Sequence, residues 1–209
     1  MGIISLFTNP VEAIMQAKAT RSIGTAVLLL LIVSVLLAIS AGMMAAVGGS
    51  PSTYYRPQQI GVVAIALINA FATFMLVFLG GLFLGYLTSV AMRALGGTGG
   101  FFEGLTSIAY SIFVPGITLF VAGLISLLGI LSVNMTAWAA TTLLGGVLVL
   151  WGAVLGFATL YRSLKELFST DLITAYVGAG VLGLSVVIVF YYGLTSVVMP
   201  YLRVMGMWL

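Results

Sequence analysis

The chain has 209 residues, of which 62% are hydrophobic and only 5% charged; seven basic and four acidic side chains give a formal charge of +3, and the mean hydropathy is +1.29. A soluble domain carries about a quarter charged residues, so composition places this chain in a membrane. Cysteine and histidine are both absent, which excludes a disulfide framework, the usual zinc, haem and iron–sulfur ligand sets, and a Ser/His/Asp or Cys/His catalytic unit on this chain. No cofactor, metal or nucleic acid is expected as a partner.

The first element is FTNPVEAIMQAKATRS, residues 7–22. Asn9 suits a helix cap, Pro10 the first helical position and Glu12 the first turn, where a carboxylate meets the positive end of the helix dipole. Val11, Ile14, Met15 and Lys18 fall at helical spacing, so a short amphipathic helix is expected along the cytoplasmic membrane surface, with Lys18 and Arg21 near lipid headgroups.

Beyond it, uncharged windows run Ser22–Tyr55, Pro57–Met92, Gly104–Tyr161 and Leu172–Leu202. About 20 apolar residues cross the hydrocarbon core. The third window is 58 residues long and must hold two helices, with the break at GILSVNMT, residues 129–136. Five spans are therefore predicted, near Gly24–Ala46, Ile60–Arg93, Leu105–Leu131, Ala137–Tyr161 and Ile173–Pro200. The expected fold class is an all-α polytopic bundle: a cytoplasmic segment at 1–23, the membrane domain at 24–200 and a short tail at 201–209.

Orientation follows from the short loops. With the N-terminus inside, Lys18, Arg21, Arg93, Arg162 and Lys165 are cytoplasmic and only Arg56 and Arg203 lie outside, so the basic bias favours N-in, C-out. Tyr54, Tyr55, Tyr191, Tyr192 and Trp138 fall near the outer boundaries as interfacial anchors.

The connection GGTGGFFEGL, residues 96–105, joins the second and third spans. Glycine-rich backbone before a helix can bind phosphate, but no Walker-type lysine follows and the flanks read as membrane helices, so both nucleotide fingerprints lack their context. Chain reversal is the stronger reading, with Gly96 and Gly97 capping the helix after Arg93 and Glu103 favouring the start of the next. Together with YRSLKELFSTD, residues 161–171, this loop places Arg93, Gly97, Gly99, Phe102, Glu103, Arg162, Lys165, Glu166 and Asp171 on one side as a candidate partner surface.

Inside the spans, Gly81 with Gly85 and Gly152 with Gly156 form two G-x-x-x-G pairs, a spacing that lets helix backbones approach. Gly80, Gly145 and Gly146 extend those faces. Pro115 interrupts the third span, and Asn69 in the second is expected to bond to a neighbouring helix.

The stretch GGTGGFFEGLTSIAYSIFVPG, residues 96–116, resembles the loop-to-third-helix signature of the Ypt-interacting-protein (Yip) domain family, with Gly97, Phe102, Leu105, Tyr110, Ser111 and Pro115 matching in order. The Phe7-Thr8-Asn9-Pro10 start resembles the entry common in prokaryotic members, and Trp151–Leu167 resembles the family's fourth helix and its basic turn. The resemblance implies a five-span membrane protein of the compact prokaryotic type. The aspartate-leucine-tyrosine-glycine-proline motif of eukaryotic members, which serve trafficking between endoplasmic reticulum and Golgi, has no counterpart here.

Two functions remain open from sequence. A non-catalytic scaffold or adaptor in a prokaryotic plasma membrane, meeting the bilayer, a protein partner or a second copy, fits the charge on one face. A small transporter or channel lined by glycine-interrupted helices is the alternative; against it, no charge lies near a predicted midplane. The carboxylates Glu12, Glu103, Glu166 and Asp171 form no acid-base motif, so no enzyme is expected.

Overall fold

A computed structural model describes residues 10–48, 59–132 and 135–184, and all regular structure among them is helical. The helices are α1 (Pro10–Thr20), α2 (Ile23–Gly48), α3 (Gln59–Ala94), α4 (Phe101–Leu131), α5 (Met135–Phe168) and α6 (Leu172–Leu184).

Four of these, within Ile23–Ala46, Val63–Ala94, Phe101–Leu131 and Thr136–Phe168, are long and apolar enough to cross a membrane. The chain is a multi-pass membrane protein in this sense. α6 is apolar but shorter in the described residues, and the rest of the predicted fifth span, 185–200, lies outside them, as do Asn9, Arg56, Tyr54, Tyr55, Tyr191, Tyr192 and Arg203. Burial explains why the first four read so clearly. Only 6% of the most apolar window of α3 is covered by protein, and Leu67, Phe71, Leu79 and Phe83 stay exposed along it. In water such a face would be costly at about 25 cal/mol per Å²; against lipid it is the expected surface.

α4 is the hub. It packs on α2, α3 and α5, and α1 lies against α5 and α4. One core joins Ile14 of α1, Leu30 and Val33 of α2, Leu84 and Met92 of α3, Leu105, Ile108 and Phe113 of α4, Leu164 and Phe168 of α5, and Ala175 and Ala179 of α6.

Glycine sets the helix contacts. A Cβ on Gly85 would lie 2.8 Å from the Leu105 Cα, and one on Gly104 would meet the Gly85 carbonyl and come 2.9 Å from the Ser89 nitrogen. Backbone thus meets backbone where α3 crosses α4. On the other flank, a Cβ on Gly156 would press on the Pro115 ring and sit 2.8 Å from the Ser111 carbonyl. Pro115 has no N–H, so Ser111 loses the helical donor four residues on, and the absence of a side chain at Gly156 lets α5 close over that carbonyl. Gly152 lies against Thr118 of α4 and Gly81 against the Leu30 side chain of α2. The pair in α3 therefore serves two neighbours and the pair in α5 serves one. Gly145 lies near Ala122 and Ser126, but Gly80 and Gly146 have nothing within 4 Å, so they do not extend the packed faces.

Most buried hydroxyls among the described residues are satisfied within their own helices. Ser34, Thr88, Ser89, Ser111, Thr118, Thr159 and Ser163 each donate to a carbonyl three or four residues earlier, which removes their need for a partner across the bundle. Asn69 behaves likewise: its Nδ2 donates to the Ile65 carbonyl at 2.9 Å, in place of the interhelical bond expected. A helix carbonyl four residues back is always at hand, whereas a neighbouring helix must be built to offer one.

The expected turn at 161–171 is mostly helix, because α5 continues through Phe168. Leu164, Lys165, Glu166 and Leu167 are strong helix formers, and 34 residues rise about 51 Å. That exceeds the roughly 30 Å of hydrocarbon, so the charged last turns can project beyond it. Only Ser169, Thr170 and Asp171 make the turn itself.

Candidate functional site

The charged end of the bundle is assembled from four pieces of chain. α3 ends in a Schellman motif: Gly96 adopts φ +90°, its N–H donates to the Arg93 carbonyl at 3.0 Å, and the Gly97 N–H reaches the Met92 carbonyl at 2.8 Å. Gly96 holds the left-handed position that α3 needs to stop. Gly97 and Gly99 do something else. A Cβ on Gly97 would lie 2.9 Å from the Met92 carbonyl and 3.2 Å from the Phe168 Cβ, and one on Gly99 would enter the Phe168 ring. These two glycines let the loop lie flat on the last turn of α5.

Hydrogen bonds fix it there. The Phe168 carbonyl, at the end of α5, accepts from the Thr98 N–H at 3.0 Å and from its hydroxyl at 3.3 Å. Arg93 Nε donates to the Gly99 carbonyl at 2.7 Å, and the Gly100 N–H donates to Glu103 Oε2 at 2.7 Å. The loop's N–H groups at 96, 97, 98 and 100 are thus committed to protein acceptors, as chain reversal requires and a phosphate cradle does not. The other Glu103 oxygen lies 3.8 Å from Arg21 Nη2. Arg21 is 78% exposed, so that pair contributes little.

α1 closes the assembly. Its apolar face is buried by protein, with Ala13, Ile14 and Ala17 in the core, while Met15 is half exposed. Lys18 Nζ donates to the Glu166 carbonyl and, at 3.5 Å, to Ser169 Oγ. An ammonium on the last-turn carbonyls of α5 also meets the negative end of its dipole. At the next turn, Asp171 Oδ2 accepts from the Ile173 and Thr174 N–H groups at 3.1 and 3.2 Å and caps α6. Hydrogen bonding from Thr174, side chain and then backbone, holds the Asp171 carboxyl below its ordinary value.

The structure therefore brings Arg93, Gly97, Gly99, Glu103 and Asp171 into one hydrogen-bonded end, with Phe102 half-buried beside it. Arg162 is exposed, and Lys165 and Glu166 are half-buried, on the closing turns of α5. The positions missed as members of this surface are Lys18, Arg21, Thr98 and Phe168. The contact of Lys18 spans 148 residues, and no local pattern announces it; the run Lys18–Arg21 after a helix was the available signal. All nine charged residues among those described lie in α1 or at this end, and among the described residues no three carboxylates gather as metal ligands. No family model, curated protein or solved structure matches the chain.

Proposed function

We propose that this chain is a compact, prokaryotic-type Yip-domain protein of the plasma membrane, and that it acts without catalysis as a scaffold or adaptor whose charged end meets a partner in the cytoplasm. The carrying observation is convergence: α1, the 95–100 loop and the α5–α6 turn are locked to one another by hydrogen bonds that involve Lys18, Arg93, Thr98 and the Phe168 carbonyl. A surface made from separate chain segments and held together in this way suits recognition, since little ordering cost remains to be met on binding. Lys18, Arg21, Arg93, Arg162 and Lys165 give this end its basic excess, which supports a cytoplasmic placement. In this reading α6 begins a fifth span that continues past Leu184, the C-terminus lies outside, Trp138 seats the far interface, and Met15 touches lipid from an otherwise protein-bound α1.

The partner is a second membrane or cytoplasmic protein, or a second copy. Photo-cross-linking residues placed at Arg162 and Leu150 in native membranes test this. Defined adducts are expected from Arg162 and only lipid from Leu150, which is 70% exposed on the apolar face; lipid alone at both positions overturns the reading. The transport alternative is separated by a flux assay in proteoliposomes, where the scaffold reading expects no solute movement.

A further inference from the structure

Two residues other than glycine hold a left-handed backbone among those described, Arg21 at φ +44° and Ser169 at φ +52°. They flank a single contact. Arg21 follows the last turn of α1, and Ser169 receives that same turn, with Lys18 Nζ on the Glu166 carbonyl and 3.5 Å from Ser169 Oγ. A side chain in this conformation carries a cost that the surroundings must offset, and the turn after α3 avoids it by placing Gly96 there. No helix breaker stops α1 either. Between Thr20 and Ile23 stand only Arg21 and Ser22, neither of them glycine or proline, and arginine is a good helix former. With Arg21 right-handed, α1 and α2 would join as one helix from Pro10 to Gly48. The break is therefore imposed by docking, through Ala13, Ile14 and Ala17 in the core and Lys18 on the end of α5.

We propose that α1 is a latch, which opens when the Arg21 backbone passes from the left-handed to the helical region and α1 swings off the bundle as an extension of α2. Closed, it gains the burial of Ala13, Ile14 and Ala17 and the pairing of an ammonium with the negative end of α5. Open, it gives up both, loses the strain at Arg21 and continues helical hydrogen bonding through residues 21 and 22. These opposing terms make a two-state element, with the change absorbed at the end of one helix, as hinges do. Opening uncovers the part of the core that α1 closes over, against α5 and α4. The bonds from Thr98 to the Phe168 carbonyl do not involve α1 and keep the 95–100 loop in place. The charged end thus has a closed and an open form, a property of the chain alone that holds whether or not this end meets a partner.

Thiol labelling of the purified full chain in detergent tests the latch, since the chain has no cysteine of its own. Ala17→Cys on α1 and Ser163→Cys on α5, at positions 6% and 0% exposed, report opening of the latch and of the bundle. Ala17→Cys is expected to react at least about tenfold faster. In that background Arg21→Gly, which removes the left-handed cost and disfavours a continuous helix, should slow labelling about fivefold. Arg21→Val, which raises the left-handed cost, should speed it about fivefold. Both variants discard the guanidinium, so opposite effects assign the hinge to the backbone and not to the 3.8 Å pair with Glu103. Lys18→Met should also speed Ala17→Cys, with Ser163→Cys unchanged throughout. Amide exchange of residues 13–18 against 159–165, in chains without a thiol, gives a second reading should the cysteine itself loosen α1. Equal rates at the two sites that shift together would make α1 a fixed part of the core, and shifts of Arg21→Gly and Arg21→Val in the same direction would remove the hinge; either result overturns the latch.

Discussion

Thr98 and Phe168 are 70 residues apart in sequence, yet the carbonyl that ends α5 takes both hydrogen bonds that Thr98 can direct at it, at 3.0 Å from the N–H and 3.3 Å from the hydroxyl. A helix leaves its last carbonyls without internal donors, and a loop leaves its N–H groups without acceptors. Each deficit answers the other. The glycines follow from this contact, since only a loop without side chains at 97 and 99 comes close enough to the Phe168 ring.

Replacing Gly99 by valine is accordingly expected to destabilise the protein by about 1–3 kcal/mol through overpacking, and Gly97→Val similarly. Gly96→Ala acts by another route. Nothing lies within 4 Å of a Cβ there, so its cost, about 1 kcal/mol, is the left-handed φ alone. Thermal unfolding in detergent measures all three. Added phosphate or nucleotide is expected to leave the wild-type midpoint unchanged; a saturable rise abolished by Gly99→Val would instead make the loop an anion site.

The helix-packing glycines separate by environment. Gly85→Leu and Gly156→Leu each drive a side chain into backbone of α4 and are expected to cost about 1–3 kcal/mol or more. Gly80→Leu and Gly146→Leu, where nothing lies within 4 Å, should fold normally. Equal behaviour of the two sets would mean that the α3–α4 and α4–α5 crossings are not the close contacts described.

Apolar run length made the four long helices legible, because a stretch that must face lipid on one side and protein on the other has nowhere to put a charge. The Gly96 cap and the helix-opening role of Glu103 were legible for a local reason: both act within one turn. The reach of α5 to Phe168 was not, since charge after Tyr161 marks where hydrocarbon ends and says nothing of where helical hydrogen bonding ends. Docking of α1 was equally hidden. The helical spacing of Val11, Ile14, Met15 and Lys18 describes a face that wants burial, and both a bilayer surface and the end of α5 satisfy that want. Which neighbour each glycine of a G-x-x-x-G pair would meet also stayed out of reach, as spacing fixes a face and not its partner.

Asp171 gives the charged end a pH dependence. Its carboxyl is held below the ordinary value first by the Thr174 side chain and then by backbone N–H groups. A lowered folded pKa means stabilisation that is present above the unfolded value, about 3.9, and is lost as pH falls through it towards the folded value. Amide protection at Ile173 and Thr174 should hold from neutral pH to about 4 and decline below. Asp171→Asn, which still caps, should flatten the dependence, and Asp171→Ala should lower protection at every pH. A wild type with constant protection through that range would remove the cap from the account.

Topology can be measured directly, because the chain has no cysteine. Ser169 and Ser132 are both exposed, at opposite ends of α5 and α4, and one serves as a reporter of each side. If four helices cross, Ser169→Cys and Ser132→Cys react with an impermeant thiol reagent from opposite faces. In the proposed orientation Ser169 faces the cytoplasm, so in intact cells only Ser132→Cys should be labelled, and Ser169→Cys only after the membrane is opened. Leu209→Cys extends the test to the last span: five crossings put it with Ser132, four put it with Ser169. Labelling of Ser169→Cys from outside would reverse the orientation and with it the assignment of the charged end to a cytoplasmic partner, while leaving the hydrogen-bonded junction of α1, loop and α5 intact.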